Sequence, residues 1–150
     1  MRFKSEKEFK ERIADILRNA DIYFLTECKI CGGKMGHHVP YDPKMNLYAD
    51  FYIKGAECAI IECKVRPSAA NIAKGLGQCL WYRYNTHIKH FVLCMPEVHR
   101  DEWWFNYEQY KEFCRKYDIG FATEENVIDV LEEVVGSLDV FHKLSSHPLG

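Results

Sequence analysis

Apolar residues along this chain switch between two spacings, and each switch marks an element. From residue 5 the period is helical. Phe9, Ile13, Ile16, Leu17 and Ala20 form one stripe, and Ser5 with Glu8 has the spacing of a capping box, which predicts a helix running to about Asn19. Ile22 to Glu27 reads as a short strand. Leu47 to Val65 (LYADFYIKGAECAIIECKV) reads as two apolar runs of strand length around a Gly55-Ala56 turn, rich in Ile, Val, Phe and Tyr. Ser68, after Pro67, then caps a second helix. Ile72, Leu76, Cys79, Leu80 and Arg83 lie on one side of it, and Asn71, Gly75, Gln78 and Tyr82 on a neighbouring stripe. His87 to Met95 reads as a buried strand closed by Pro96. Trp103, Tyr107, Tyr110, Cys114 and Tyr117 recur at helical spacing as a core-facing aromatic stripe, with Gly120 as terminator. Ile119 to Ala122 is a short strand. Thr123 then caps a last helix carrying Val127, Val130, Leu131, Val134 and Val135, although their β-branching also suits a strand over 127–133. The tail 141–150 has no pattern and reads as loose.

That order of elements predicts a mixed α/β fold, a central sheet flanked by helices. With no repeat, linker or low-complexity tract, residues 1–150 form a single domain, and 47% hydrophobic residues supply one core. The segment 28–44 (CKICGGKMGHHVPYDPK) is too irregular for an element and reads as an insert. A formal net charge of −2 excludes an indiscriminately basic protein. The charge is uneven: Glu124, Glu125, Asp129, Glu132, Glu133 and Asp139 gather near the C-terminus against Lys143 alone. The acidic end is therefore a poor surface for a polyanion, and the slightly positive remainder is permissive. No window is apolar and long enough for a membrane span, and MRFKSEKEFK is no signal peptide. Seven scattered cysteines, an odd number, point to reduced thiols and a cytoplasmic location.

Three charges interrupt the apolar hairpin. Glu62 and Lys64 share one strand face, opposite Ile61, Cys63 and Val65, while Asp50 is expected on the face of Tyr48 and Tyr52, opposite Ala49, Phe51 and Ile53. Pairing of the two runs would bring both acids and the amine together. Charges in such apolar strands are costly unless they pair or bind a metal. Phosphodiester hydrolysis needs an activated water and a charge clamp, which one or two Mg²⁺ ions supply, and Mg²⁺ takes one or two carboxylates besides waters and substrate oxygens. Asp50 and Glu62 are such a pair, with the Cys63 carbonyl as a third oxygen. Lys64 is then the group to orient the attacking water, take its proton or hold a phosphate oxygen. A lone Glu-x-Lys equally describes a salt bridge on a half-exposed strand. Glu6 sits at the edge of the first helix's apolar stripe and looks inward, while Glu8 and Glu11 look away; by itself Glu6 reads as a first-turn acid facing the helix dipole.

The whole arrangement, Asp50-x11-Glu62-x-Lys64 across a strand-turn-strand followed by a helix with Gln78-x3-Tyr82, resembles the PD-(D/E)XK nuclease superfamily, in particular the RecB-like branch with a Q-x3-Y helix. The resemblance covers residues 5 to 95 and implies a restriction-endonuclease-like core of α-β-β-β-α-β order. It implies a Mg²⁺- or Mn²⁺-dependent nuclease acting on DNA, with Asp50 and Glu62 as metal ligands and Lys64 as catalytic lysine. Gln78 would be a helix residue reaching the active site, Tyr82 its partner near the DNA, and Glu6 the acid that many members keep on the first helix. Ala49 stands where the family's name-giving proline would be. A homodimer suits an enzyme that must cut two strands. An RNA-directed nuclease and a non-catalytic nucleic-acid-binding protein are the competing readings.

The binder reading rests on the insert. Cys28-x2-Cys31 with Gly32-Gly33 has the spacing of a zinc knuckle, His37 or His38 can add a third ligand, and Cys58, Cys63 or Cys94 can donate from the sheet. The same residues also describe a glycine-rich turn with two incidental thiols. Lys34, His37, His38 and Lys44 suit the loop to phosphates instead.

Overall fold

Ser5 opens the first helix, α1 (Glu6–Asn19): its hydroxyl accepts the Glu8 N–H at 3.1 Å, while Phe9, Ile13 and Leu17 lose all contact with solvent. The reciprocal arm of the capping box is displaced by one residue, since the Glu8 carboxylate takes the N–H of Lys4 at 2.9 Å instead of that of Ser5. The computed structural model describes residues 2–30 and 47–141. After α1 come β1 (Phe24–Ile30), β2 (Leu47–Ile53), β3 (Ala59–Cys63), α2 (Ala69–Asn85), β4 (His90–Met95), α3 (Tyr107–Arg115), β5 (Ile119–Thr123) and α4 (Val127–Val135). The strands form one sheet in sequence order. β1, β2 and β3 are antiparallel neighbours, and β4 and β5 join in parallel, each after a helical crossover.

The five-stranded mixed sheet separates two apolar layers. On one face α1 and α4 pack against Phe51, Ile53, Ile61, Cys63, Val92 and Cys94. On the other, α2 and α3 pack against Ala49, Ile60, Phe91, Leu93 and Phe121. The α/β expectation therefore holds at this level, with 127–135 a helix and not a strand. No helix among the described residues is long and apolar enough to cross a membrane.

Several local expectations change, each because a neighbour overrides the pattern. β1 runs on to Ile30, so Cys28 sits in a strand opposite Ala49 instead of opening a loop. The aromatic helix begins only at Tyr107, because Asn106 caps it through Gln109 N–H; Trp103 falls before the cap and is 95% exposed, not core. That helix stops at Arg115, and Asp118, at φ 56°, makes the turn. Gly120 is no terminator: it lies inside β5, where a Cβ would meet Val130 Cγ1 at 2.7 Å. Thr123 does not cap α4; it ends β5 and gives its N–H to Asn126 Oδ1 at 2.8 Å. Phe141 is buried, and the carbonyl of Val140 accepts the Ala56 N–H at 2.7 Å. A Cβ at Gly55 would lie 2.0 Å from that carbonyl, so the hairpin glycine is required by the chain crossing over it.

Candidate active site

Strand alternation fails at one place in the sheet. Ala49 packs toward α2 while Phe51 and Ile53 pack toward α1; likewise Phe24 packs on the α1 side and Cys28 on the α2 side. Residues two or four apart in a regular strand would share a face. The break falls at Glu27, whose φ is 49°, and at Asp50, the position facing it in the register. Both side chains consequently turn toward α1, and Asp50 does not share the face of Tyr52 as strict alternation predicts.

At this break the β2–β3 ladder ends, and carboxylates take over its backbone groups. The paired positions run from Ile53 and Ala59 to Phe51 and Ile61. Beyond them the Asp50 N–H donates to Glu62 Oε1 at 3.2 Å, and the Cys63 N–H donates to Asp50 Oδ2 at 2.7 Å. The hairpin thus sets each acid against the other strand's backbone, with Asp50 turned to Lys10 of α1 and Glu62 to Tyr82 of α2, and not on one shared face as the alternation predicts. Both are buried, Asp50 to 7% and Glu62 to 2% exposure. Burial pushes the Glu62 carboxyl up to about 8, and the negative charge of Asp50 adds to the shift. Burial likewise raises the Asp50 carboxyl, against the pull of Lys10 and of the Cys63 N–H.

The α2 side of the site is built by hydrogen bonds. Tyr82 hydroxyl donates to Glu62 Oε1 at 3.2 Å, and Lys64 Nζ donates to Gln78 Oε1 at 3.0 Å. Gly75, one turn before Gln78, clears the path for Lys64: a Cβ there would come within 3.0 Å of Lys64 Cε and 2.6 Å of Leu93 Cδ1. The Lys64 N–H is fixed to the Cys94 carbonyl of β4 at 2.8 Å. Gln78 therefore meets Lys64. Tyr82 has a different role from the one expected, because it has no exposed surface and serves as a buried donor to Glu62, out of reach of DNA.

Two residues that the sequence reading passed over complete the α1 side. Lys10 Nζ lies 2.6 Å from Asp50 Oδ1, 3.1 Å from Glu6 Oε1 and 3.2 Å from Glu27 Oε2. Burial would lower its pKa, but Asp50, Glu6 and Glu27 together raise it, so it stays a cation. Glu6 does not turn inward as expected: its side chain is 55% exposed and meets Lys10, four residues on, in the i,i+4 spacing favourable for Glu before Lys, while Glu8 is the more buried of the two. That spacing was the available signal for Lys10. Glu27 had none, since its inward turn depends on a left-handed backbone.

Beside the acids opens a cleft of about 630 Å³. Arg2, Lys4, Lys64, Arg66 and Lys74 line it together with one acid, Glu6. Asp50 and Glu62 do not themselves line the cleft; Cys63, whose N–H Asp50 holds, does.

Both hydrogen bonds that Glu62 accepts among the described residues fall on Oε1. Among the described residues no three His, Cys, Asp or Glu side chains stand together ready to hold a metal. Glu6, Glu27 and Asp50 are closed around an ammonium instead. For the zinc expectation, Cys31, Lys34, His37, His38 and Lys44 lie outside the described residues. Cys63 and Cys94 are buried on the α1 side of the sheet while Cys28 packs on the α2 side, which removes both as partners for it.

Fold and site together define a mixed α/β domain with a buried acid pair, a lysine tethered to a glutamine, and a basic cleft alongside. Comparison with protein-family models, with curated proteins and with solved structures gives no match to this chain.

Proposed function

We propose that the protein is a Mg²⁺- or Mn²⁺-dependent nuclease of the PD-(D/E)XK type that hydrolyses DNA. The observation that carries the reading is the mutual capture of Asp50 and Glu62 across diverging strands, with Lys64 two residues on and aimed at Gln78. A fold needs no such pair for stability: two desolvated carboxylates side by side repel, and an apolar pair of the same volume would hold the strands better. The element order α1-β1-β2-β3-α2-β4, with an antiparallel meander and then a parallel crossover, supports a restriction-endonuclease-like core.

Asp50 and Glu62 would hold the metal. When bound there, Mg²⁺ supplies positive charge against the phosphate and makes water a stronger acid. The chain's own groups do the rest. Lys64 spends one N–H on Gln78 and keeps two, enough to hold a phosphate oxygen while orienting the attacking water. Tyr82 fixes the Glu62 carboxylate from behind. The bases of the cleft neutralise flanking phosphates, so binding weakens as salt rises.

Purified protein incubated with supercoiled, linear and branched DNA, and with matched RNA, tests this directly. Cleavage of DNA is expected only with Mg²⁺ or Mn²⁺, and Asp50→Ala and Lys64→Ala should lose it. Variants that cut as well as wild type would remove the assigned roles. Preferred cutting of RNA would change the substrate, and a gel shift without cleavage would leave a binding protein.

A further inference from the structure

We infer that Trp103 and Trp104 form a stacking platform for an unpaired base beside the basic cleft, so that the DNA held there is single-stranded. The inference rests on the reading of that cleft as a site for nucleic-acid phosphates, and it names the form of the strand. Trp103 is 95% exposed and Trp104 44%, in a loop whose next residue, Phe105, is buried. A tryptophan left in water forgoes the large apolar contact its ring can make, and the fold gains almost no packing from Trp103. Trp104 is held from behind: its ring meets Phe105 edge-on at 5.7 Å, and Phe105 stacks on Tyr110 at 4.9 Å and 11°. One ring is thus seated, and its neighbour stands in solvent.

The loop is tied to the cleft at two points. His99, which lines the cleft, has its ring 5.8 Å from that of Trp104. Arg2, which lines it too, reaches Glu102 at 3.7 Å. Next to the tryptophans therefore lie the five bases of the cleft, with Glu6 as its one acid. Charge within the loop is already matched. Glu102 pairs with Arg2 and His99, while Arg100 pairs with Glu97 and lies 4.2 Å over the Tyr107 ring. Asp101 is exposed, so the loop itself repels phosphate. A ligand that puts negative charge in the cleft and a flat apolar face on the loop is a nucleotide whose base is free. A duplex covers its base faces with their neighbours. Proteins that hold single strands join the same two parts, a basic track and aromatic rings.

The test is fluorescence anisotropy of labelled oligonucleotides with the full chain in EDTA, where binding is read without cleavage. The probes are a DNA single strand, its blunt duplex, a strand of abasic residues of the same length, and the matching RNA. Wild type should hold the DNA single strand tightest. Trp103→Ala, at a position almost wholly in solvent, should weaken that binding by about 5- to 150-fold, the range for one lost base stack, and Trp103→Phe should keep most of it. The abasic strand and the duplex should bind Trp103→Ala and wild type alike. Arg66→Ala should weaken all the DNA probes together and flatten the salt dependence, which Trp103→Ala leaves unchanged. Single-strand binding that ignores Trp103→Ala, a loss shared by the abasic strand, or a duplex held as tightly would overturn the inference and leave the nucleic-acid reading of the cleft standing. Tighter binding of the RNA would overturn the choice of DNA. No binding of any probe by wild type would remove that reading, and this inference with it.

Discussion

The two ends of the sheet follow opposite rules. At β4 and β5 every position obeys alternation: Phe91, Leu93 and Met95 enter one layer, Val92, Cys94 and Ala122 the other, all buried and none charged. At β1 and β2 alternation breaks at Glu27 and Asp50, and the last β2–β3 rungs are carboxylate-to-backbone bonds. The first end is what apolar burial alone produces, worth roughly 25 cal/mol per Å² removed from water. The second places two acids where burial opposes their charge. Strain and desolvation of this kind concentrate where chemistry is done.

The largest effect should come from the charged end and leave stability alone. Lys64→Ala is expected to lower the cleavage rate by about 10²–10⁴-fold, the usual range for a lost proton-handling or positioning group, with a melting temperature near that of wild type. Single-turnover cleavage together with thermal melts checks both halves. A large drop in melting temperature would mean that Lys64 belongs to the scaffold.

Phe91→Ala reverses the pattern. It removes a side chain with no exposed surface from the regular end and should cost about 3–5 kcal/mol in urea unfolding. Mn²⁺ uptake by the remaining folded protein should be unchanged. Loss of metal binding ahead of unfolding would show that the two ends are coupled.

Glu62→Gln keeps an oxygen to accept from Tyr82 and from Asp50 N–H but removes the buried charge. In wild type the folded carboxyl sits near 8, against an ordinary value of 4.5. Between those values the folded chain keeps a proton that the unfolded chain releases, so wild-type stability falls as pH rises through that window and levels off above it. The variant lacks this loss. In EDTA its free energy of unfolding should therefore gain on wild type from about pH 5 to pH 8, by an amount on the order of 1 kcal/mol or more, as urea unfolding at each pH would read. Parallel curves would mean that Glu62 is charged and comfortable in the fold.

Gly75→Ala should have the smallest effect on stability. A helical alanine gains up to about 1 kcal/mol over glycine, and crowding of Leu93 offsets it. The new methyl also presses on Lys64, so cleavage should fall while unfolding in urea stays within about 1 kcal/mol of wild type. Unchanged cleavage would show that Lys64 tolerates displacement from Gln78.

Much of the scaffold was legible because its signals are local. Ser5 and Ser68 cap the helices they precede, and the stripe of Phe9, Ile13 and Leu17 is buried as its spacing demands. Asp50, Glu62 and Lys64 are conspicuous in the sequence as charged residues in apolar runs, whereas Gln78 enters only through the resemblance of its helix to a Q-x3-Y helix. Gly120 and Phe141 depart from the pattern because a valine of α4 and the chain over Gly55 decide their roles from a distance; Trp103 departs for a local reason, the cap at Asn106 that starts the helix after it. Tyr82 lies behind Glu62 and not at the surface where the resemblance puts it, because a motif gives a residue's side of the helix and not the depth of the groove it enters.

By itself the sequence determined the elements, the α/β layering and which charged residues had to be accommodated, since period and composition act within a few neighbours. Only the tertiary structure decided that Asp50 turns toward α1, that Lys10 and Glu27 meet it there, and that Glu62 is held by Tyr82. The physical reason is that desolvation and strand alternation are properties of the packed sheet: a carboxylate's cost, its partner and even its face are set by strands and helices far away in the chain.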